Sequence, residues 1–145
     1  MGKKKKAVIT VLPDTNVILS AVLFTGKLSR TLELWKKGRI EPVLSRETFQ
    51  ELQEALLYPK FHLTPAEIEM ILEEEILPFF SVVEDTAQLR GLCKDPDDDK
   101  FLSCAISASA EFLVSGDKDL YKMGKYRSVR ILRPSDFLKD LKRDA

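Results

Sequence analysis

Four short acidic segments, each placed where an apolar run ends or a helix begins, narrow the folds open to this chain. They are LPDTN around Asp14, FQELQE around Glu51, DPDDDKF with Asp97, Asp98 and Asp99, and VSGDKDL with Asp117 and Asp119. In an α/β sheet, strand ends and helix starts meet along one edge, and ligands bind there. Carboxylates gathered at such an edge repel one another unless a cation lies between them. A divalent metal is the simplest reason to keep the cluster, and phosphoryl chemistry is the usual work of such a metal.

The runs between the acids alternate in character. AVITVL (7–12) is apolar, β-branched and closed by Pro13-Asp14, so it reads as a buried strand, with NVILSAVLF as the helix after it and Gly26 as a break. Ser29 opens a short helix that Gly38 stops. IEPVLS (40–45) is a second strand, and Ser45 caps a helix running to about Leu57, before Pro59. Thr64-Pro65-Ala66-Glu67 starts another helix that continues through IEMILEEEIL to Pro78. SVVE (81–84), FLVS (112–115) and VRIL (129–132) are further strands. Asp95-Pro96 opens KFLSCAISASA as a helix, and SDFLKDL after Pro134 is the last. Strands alternating with helices give an α/β fold, a mostly parallel sheet of about five strands with helices on both faces. If the first and fourth strands are adjacent, Asp14 and Asp117 meet.

A chain of 145 residues with 44% hydrophobic and 32% charged residues suits one domain over 1–145, with a basic tail at 1–6. No apolar run approaches the roughly 20 residues that span a bilayer, so no membrane segment is expected, and the chain reads as cytoplasmic. Cys93 and Cys104 show no metal spacing and read as reduced thiols. The net charge is zero, but it is unevenly spread. Between Glu41 and Asp99 stand 15 acids and four bases; from Lys118 to Arg143 stand nine bases and three acids. An acidic middle between basic ends fits a metal site beside a phosphate-binding surface, or simply solvated helix faces.

Each acid also has a plain structural reading. Asp14 can cap the helix after the first strand. Glu51 shares its helix with Glu47 and Glu54. On a helical wheel Phe49, Leu52 and Leu56 mark the core face, Glu47 and Glu54 point away, and Glu51 lies at the boundary beside Thr48 and Ala55. Asp95 can cap its helix while the next acids complement the helix dipole. Asp98 aligns with Phe101, Leu102 and Ala105 and so heads the buried face. Gly116-Asp117 is ordinary turn chemistry. Four such accidents at one sheet edge are harder to accept than one metal site.

With these residues in view, the chain resembles the PIN-domain family, and most of all its branch of toxin components of toxin–antitoxin pairs. The resemblance spans residues 7 to 138 and is carried by VLPDTNVILSA, SRETFQELQEALLYPKF, DPDDDKFLSCAISASAEFLVSGDKDL and VRILRPSDFL. It implies a three-layer α/β/α fold and a Mg²⁺- or Mn²⁺-dependent ribonuclease, with a 5′-phosphate and a 3′-hydroxyl as products. It implies Asp14, Glu51, Asp98 and Asp117 as catalytic and metal-holding acids, with Asp119 as an accessory. Thr15, Asn16 and Ser115 fall on the polar positions around them, Ser115 where Thr is more common in the family. Arg46, Lys100, Lys118 and Lys122 are the candidates for gripping an RNA backbone. An antitoxin protein and a second copy of the chain are the implied partners; the IEMILEEEIL helix or the segment near Trp35 could serve the second, although packing inside the monomer is the favoured reading of both.

Other readings compete. A receiver-type signalling domain needs paired acids after the first strand and a lysine after the last, and neither is present. A non-catalytic module binding RNA or protein is disfavoured by four intact acids. A nuclease acting on DNA is disfavoured by the compact length.

Overall fold

The computed structural model describes residues 8–24 and 29–143, with side chains to Leu141. The basic tail at Lys3–Lys6 and the break at Gly26 lie outside the described residues. One sheet of six strands organises the rest: β1 (Ile9–Pro13), β2 (Ile40–Ser45), β3 (Ser81–Val83), β4 (Phe112–Val114), β5 (Lys125–Tyr126) and β6 (Val129–Leu132). Their order across the sheet is β3-β2-β1-β4-β6-β5, and every pair is parallel except β5 with β6. The sequence reading lacks β5, a two-residue strand too short to show a period.

Among the described residues seven α-helices flank the sheet: α1 (Thr15–Leu23), α2 (Ser29–Lys36), α3 (Arg46–Leu56), α4 (Pro65–Met70), α5 (Asp99–Ser107), α6 (Lys118–Tyr121) and α7 (Pro134–Arg143). Side chains of a strand alternate between faces, and the two cores follow from that. Val11 faces Val17, Ile18, Trp35, Leu52, Leu56 and Phe137 on one side of the sheet. Its neighbour Leu12 faces Phe101, Leu102, Ala105 and Leu120 on the other. The result is the three-layer arrangement expected from the alternating runs.

Local chemistry sets the boundaries. Ser45 and Thr48 form a reciprocal cap at the start of α3, and Thr64 and Glu67 do the same for α4. Gly38 ends α2 with φ +72°, a left-handed conformation that costs glycine nothing. Past Met70 the helix widens into a π-turn at Ile71–Ile76, where the Leu77 amide bonds back to Leu72. There the Trp35 indole donates to the Glu75 carbonyl at 3.0 Å, and Lys36 pairs with the Glu75 carboxylate. Trp35 is 1% exposed, so its side chain packs inside this chain. No described helix is long and apolar enough to cross a membrane.

Candidate active site

The strand order reverses direction between β1 and β4, because β2 and β3 build outward on one side and β6 and β5 on the other. A crevice opens outside the carboxyl ends of strands at such a switch point. Pro13 pairs with Val114, and the Asp14 amide donates to the Val114 carbonyl at 2.9 Å. Asp14 and the Ser115–Asp117 turn therefore leave the sheet side by side. A cleft of about 310 Å³ opens there, and Asp14, Thr15, Asn16, Glu51, Asp97, Asp98 and Asp117 all reach its walls.

Asp14 caps α1 through Oδ1, which accepts from the Val17 amide at 2.9 Å. Its Oδ2 accepts from the Ser115 hydroxyl, and Ser115 Oγ in turn receives the Asp117 amide at 3.0 Å. One hydroxyl thus locks the two strand ends together. Asp14 is buried, and burial raises its pKa above the ordinary carboxylate value; Ser115 and Val17 oppose that rise, while Asp117 and Glu51 add to it.

Glu51 comes from α3, the helix beside α1, and is half-buried while Glu47 and Glu54 are exposed. Both of its oxygens are engaged. Thr15 Oγ1 donates to Oε2, and Lys100 Nζ lies 2.7 Å from Oε1. Lys100 also reaches Asp97 at 3.0 Å, and its side chain is only 15% exposed. Burial works against the charge on Lys100, but Glu51 and Asp97 outweigh it and raise the pKa.

The three consecutive aspartates divide into three roles. Asp95 caps a 3₁₀ turn, Pro96–Asp98, that leads into α5. Asp97 is exposed and pairs with Lys100. Asp98 turns into the cleft, where its Oδ2 is buried and receives no hydrogen bond. The Asp117 carboxyl lies within hydrogen-bond reach, a contact that two anions tolerate only with a proton or a cation between them. Burial first, then Asp117, pushes the Asp98 pKa up to about 7.

Asp99 does something else. It is 4% exposed and accepts the amides of Gly91, Leu92 and Cys93 at 2.8 to 3.1 Å. Burial opposes its charge, but those three donors outweigh burial and lower its pKa. Asp85 repeats the device, accepting from Ser103 at 2.6 Å, Ser107 at 3.0 Å and the Gln88 amide at 2.9 Å. Together they fasten the irregular stretch from 84 to 94 onto α5. Sequence reasoning missed this clamp; its one local signal is the spacing Asp99, Ser103, Ser107, which puts three small polar groups on one helical stripe.

Other sequence candidates stand elsewhere. Asp119 is exposed and absent from the cleft walls; its amide donates to Asp117 Oδ1 at 2.9 Å. Arg46, Lys118 and Lys122 are exposed and do not line the cleft, and neither does His62. Sequence reasoning also missed Tyr58, Lys60 and Phe61 as lining residues. Cys93 and Cys104 are free thiols, raised by burial to about 12 and about 11, and so stay protonated.

The donors fit a hard divalent cation in kind, being all oxygen, and the orphaned Asp98 Oδ2 beside Asp117 marks where positive charge is missing. In this arrangement no three His, Cys, Asp or Glu side chains converge on one point among the described residues. Two carboxylates plus water complete a Mg²⁺ shell more readily than an all-protein cage.

Known proteins resemble this chain in sequence or in fold. An uncharacterized protein of Methanocaldococcus jannaschii, MJ1680, is 28% identical over 99% of this chain and 98% of its own length. Among solved structures, FitAcB from Neisseria gonorrhoeae superposes with a TM-score of 0.59 at 18% identity, covering 86% of this chain and 98% of that one. VapBC2 from Rickettsia felis, bound to a DNA fragment from its promoter, gives 0.58 at 17%, covering 85% and 97%. Residues 10–119, which hold all five acids of the cleft walls and the switch point between β1 and β4, match the PIN domain, and the chain belongs to that family.

Proposed function

We propose that this protein is a Mg²⁺- or Mn²⁺-dependent endoribonuclease and the toxin of a toxin–antitoxin pair, with Asp14, Glu51, Asp98 and Asp117 as its working acids. The pairing of Asp98 with Asp117 carries the reading: a carboxyl that has one buried oxygen without a donor and a second carboxylate as neighbour is a costly arrangement that a cation relieves. PIN domains are in general nucleases, which supports hydrolysis of a phosphodiester. The resemblance to the toxin branch of the family, with FitAcB and VapBC2 as neighbours in fold, supports an antitoxin partner here.

Asp98 and Asp117 would hold the cation from the sheet side, with Asp14 adjoining. A divalent cation bound there supplies positive charge against the phosphoryl oxygens and a lowered pKa for water. Ser115 and the Val17 amide fix Asp14 so that its carboxylate does not swing. Glu51, held by Thr15 and Lys100, orients water and acts at one remove. With its pKa pushed up to about 7, Asp98 would be partly protonated near neutrality, so a cation held there would compete with that proton and bind better as pH rises. Asp119 and the surface cations Arg46, Lys118 and Lys122 stand outside this set.

The test is cleavage of a mixed pool of structured and single-stranded RNA with Mn²⁺, with Mg²⁺ and with EDTA, beside an Asp14→Asn control. Metal-dependent cleavage lost in the variant is the expected result. Cleavage of DNA in preference to RNA, or cleavage that survives Asp14→Asn, sinks the reading.

A further inference from the structure

A polyanion entering the acidic cleft meets repulsion from five carboxylates and needs a cation nearby. Lys60 is the one cation on the cleft walls among the described residues. It sits in a rigid turn. Pro59–Phe61 is a 3₁₀ turn, closed by the Phe61 amide to Tyr58 and the His62 amide to Pro59, with His62 left-handed at φ 51°. Lys60 Nζ lies 5.1 Å from the centre of the Phe61 ring, a cation–π contact that keeps it over the wall.

Beyond Lys60 and Phe61 a second groove of about 500 Å³ opens, sharing both residues and Asn16 with the acidic cleft. Phe24 lines it and is 56% exposed; Tyr58, on the cleft side, is 55% exposed. Two aromatic rings more than half in water, flanking a cation beside an acidic centre, form a patch that a partner covers. Aromatic faces with a cation between them are the arrangement that single-stranded nucleic acids use: bases stack and the backbone pairs with the charge.

We propose that this second groove is a subsite for an unpaired nucleobase next to the scissile phosphate, with Lys60 holding the intervening phosphate. The assignment rests on the nuclease reading and narrows its substrate to single-stranded RNA at that position. A duplex cannot present a base face to Phe24 without unpairing, whereas a loop or an end can.

The experiment is fluorescence anisotropy with the full chain carrying Asp14→Asn, in EDTA, against a labelled single-stranded RNA hexamer and a blunt RNA duplex. Phe24→Ala should weaken the hexamer about ten-fold, and Phe24→Tyr should restore it, because stacking needs only the ring. Lys60→Gln should flatten the slope of log affinity against log salt by about 0.7. Unchanged hexamer affinity in both Phe24→Ala and Lys60→Gln overturns the subsite, as does an equal loss for the duplex. So does a Phe24→Ala effect seen only on a protein partner, which would make the groove a protein dock. Mn²⁺-dependent cleavage by the unmutated chain is read separately. Cleavage with no Phe24 effect removes the subsite and leaves the nuclease; the ten-fold loss without cleavage removes the nuclease and leaves a binding site.

Discussion

The acidic cleft and the clamp that fastens residues 84–94 to α5 are both built from aspartates, and they handle charge in opposite ways. In the clamp, Asp99 has three amide donors and Asp85 has two hydroxyls and an amide, and both pKa values are lowered. In the cleft, Asp98 has an oxygen with no donor and Asp117 as its neighbour, and its pKa rises to about 7. These two treatments meet at adjacent residues, Asp98 and Asp99. A carboxylate whose donors come from its own chain is a structural part. One left short of donors is waiting for something the chain does not supply.

The largest separation between the two regions should be in catalysis. Asp98→Asn and Asp14→Asn should each reduce metal-dependent RNA cleavage about a thousand-fold, equivalent to roughly 4 kcal/mol of transition-state stabilisation. Both should keep a native circular dichroism spectrum. Full activity in either variant, measured as initial rate under saturating Mn²⁺, removes that residue from the site.

Stability should move the other way. Asp99→Ala leaves three amides without an acceptor and should cost about 3 kcal/mol in urea unfolding. Asp98→Asn removes a repelled charge and should leave the metal-free protein as stable or more so. A larger loss for Asp98→Asn than for Asp99→Ala would collapse the distinction between clamp and cleft. In the same assay, Mn²⁺ should raise the melting temperature of the unmutated protein and not that of Asp14→Asn/Asp117→Asn.

pH sharpens the contrast further. Asp98 has a raised folded pKa, so the folded state binds more protons than the unfolded chain between about pH 4 and pH 7. Its contribution is therefore present at low pH and lost as pH rises through that window. Asp99 has a lowered pKa, so its contribution is present above the ordinary carboxylate range and lost on acidification. Metal-free melting temperatures from pH 4.5 to 8 should fall less steeply with rising pH in Asp98→Asn than in the unmutated protein. An unchanged slope in Asp98→Asn would mean that Asp98 and Asp117 do not share a proton.

The sequence made the cleft easier to see than the clamp, for a physical reason. Asp14 follows an apolar run that can only be a buried strand, and Asp117 follows another, so adjacency of two strands was enough to bring them together. Glu51 and Asp98 could be placed by helical period, since Leu52, Leu56, Phe101 and Leu102 fix which way their helices face. Nothing of that kind marks Asp85, because the stretch around it has no period and its partners lie 18 and 22 residues away. The π-turn at Ile71–Ile76 was equally hidden: IEMILEEEIL reads as plain α-helix until Trp35 claims the Glu75 carbonyl. In the sequence Lys100 is a candidate for holding the RNA backbone near the cleft. Only the fold shows it spent on Glu51 and Asp97.

That last point yields the smallest effect, and the one most specific to this chain. Lys100 contributes positive charge behind the cleft and holds Glu51 in place. Lys100→Gln keeps the length and a donor while removing the charge. Losing a cation beside four acids makes the local potential more negative, so Mn²⁺ should bind somewhat tighter by calorimetry, about three-fold for a partly screened charge. Cleavage at saturating Mn²⁺ should nevertheless fall, because Glu51 loses the partner that orients it, and Glu51→Gln should reproduce that fall where exposed Glu54→Gln does not. If Lys100 instead gripped the RNA backbone, Lys100→Gln would weaken RNA binding, lower the salt dependence and leave Mn²⁺ affinity unchanged. The two outcomes differ in whether Mn²⁺ affinity shifts at all, so a single titration decides whether the cation behind the cleft serves the substrate or the acids.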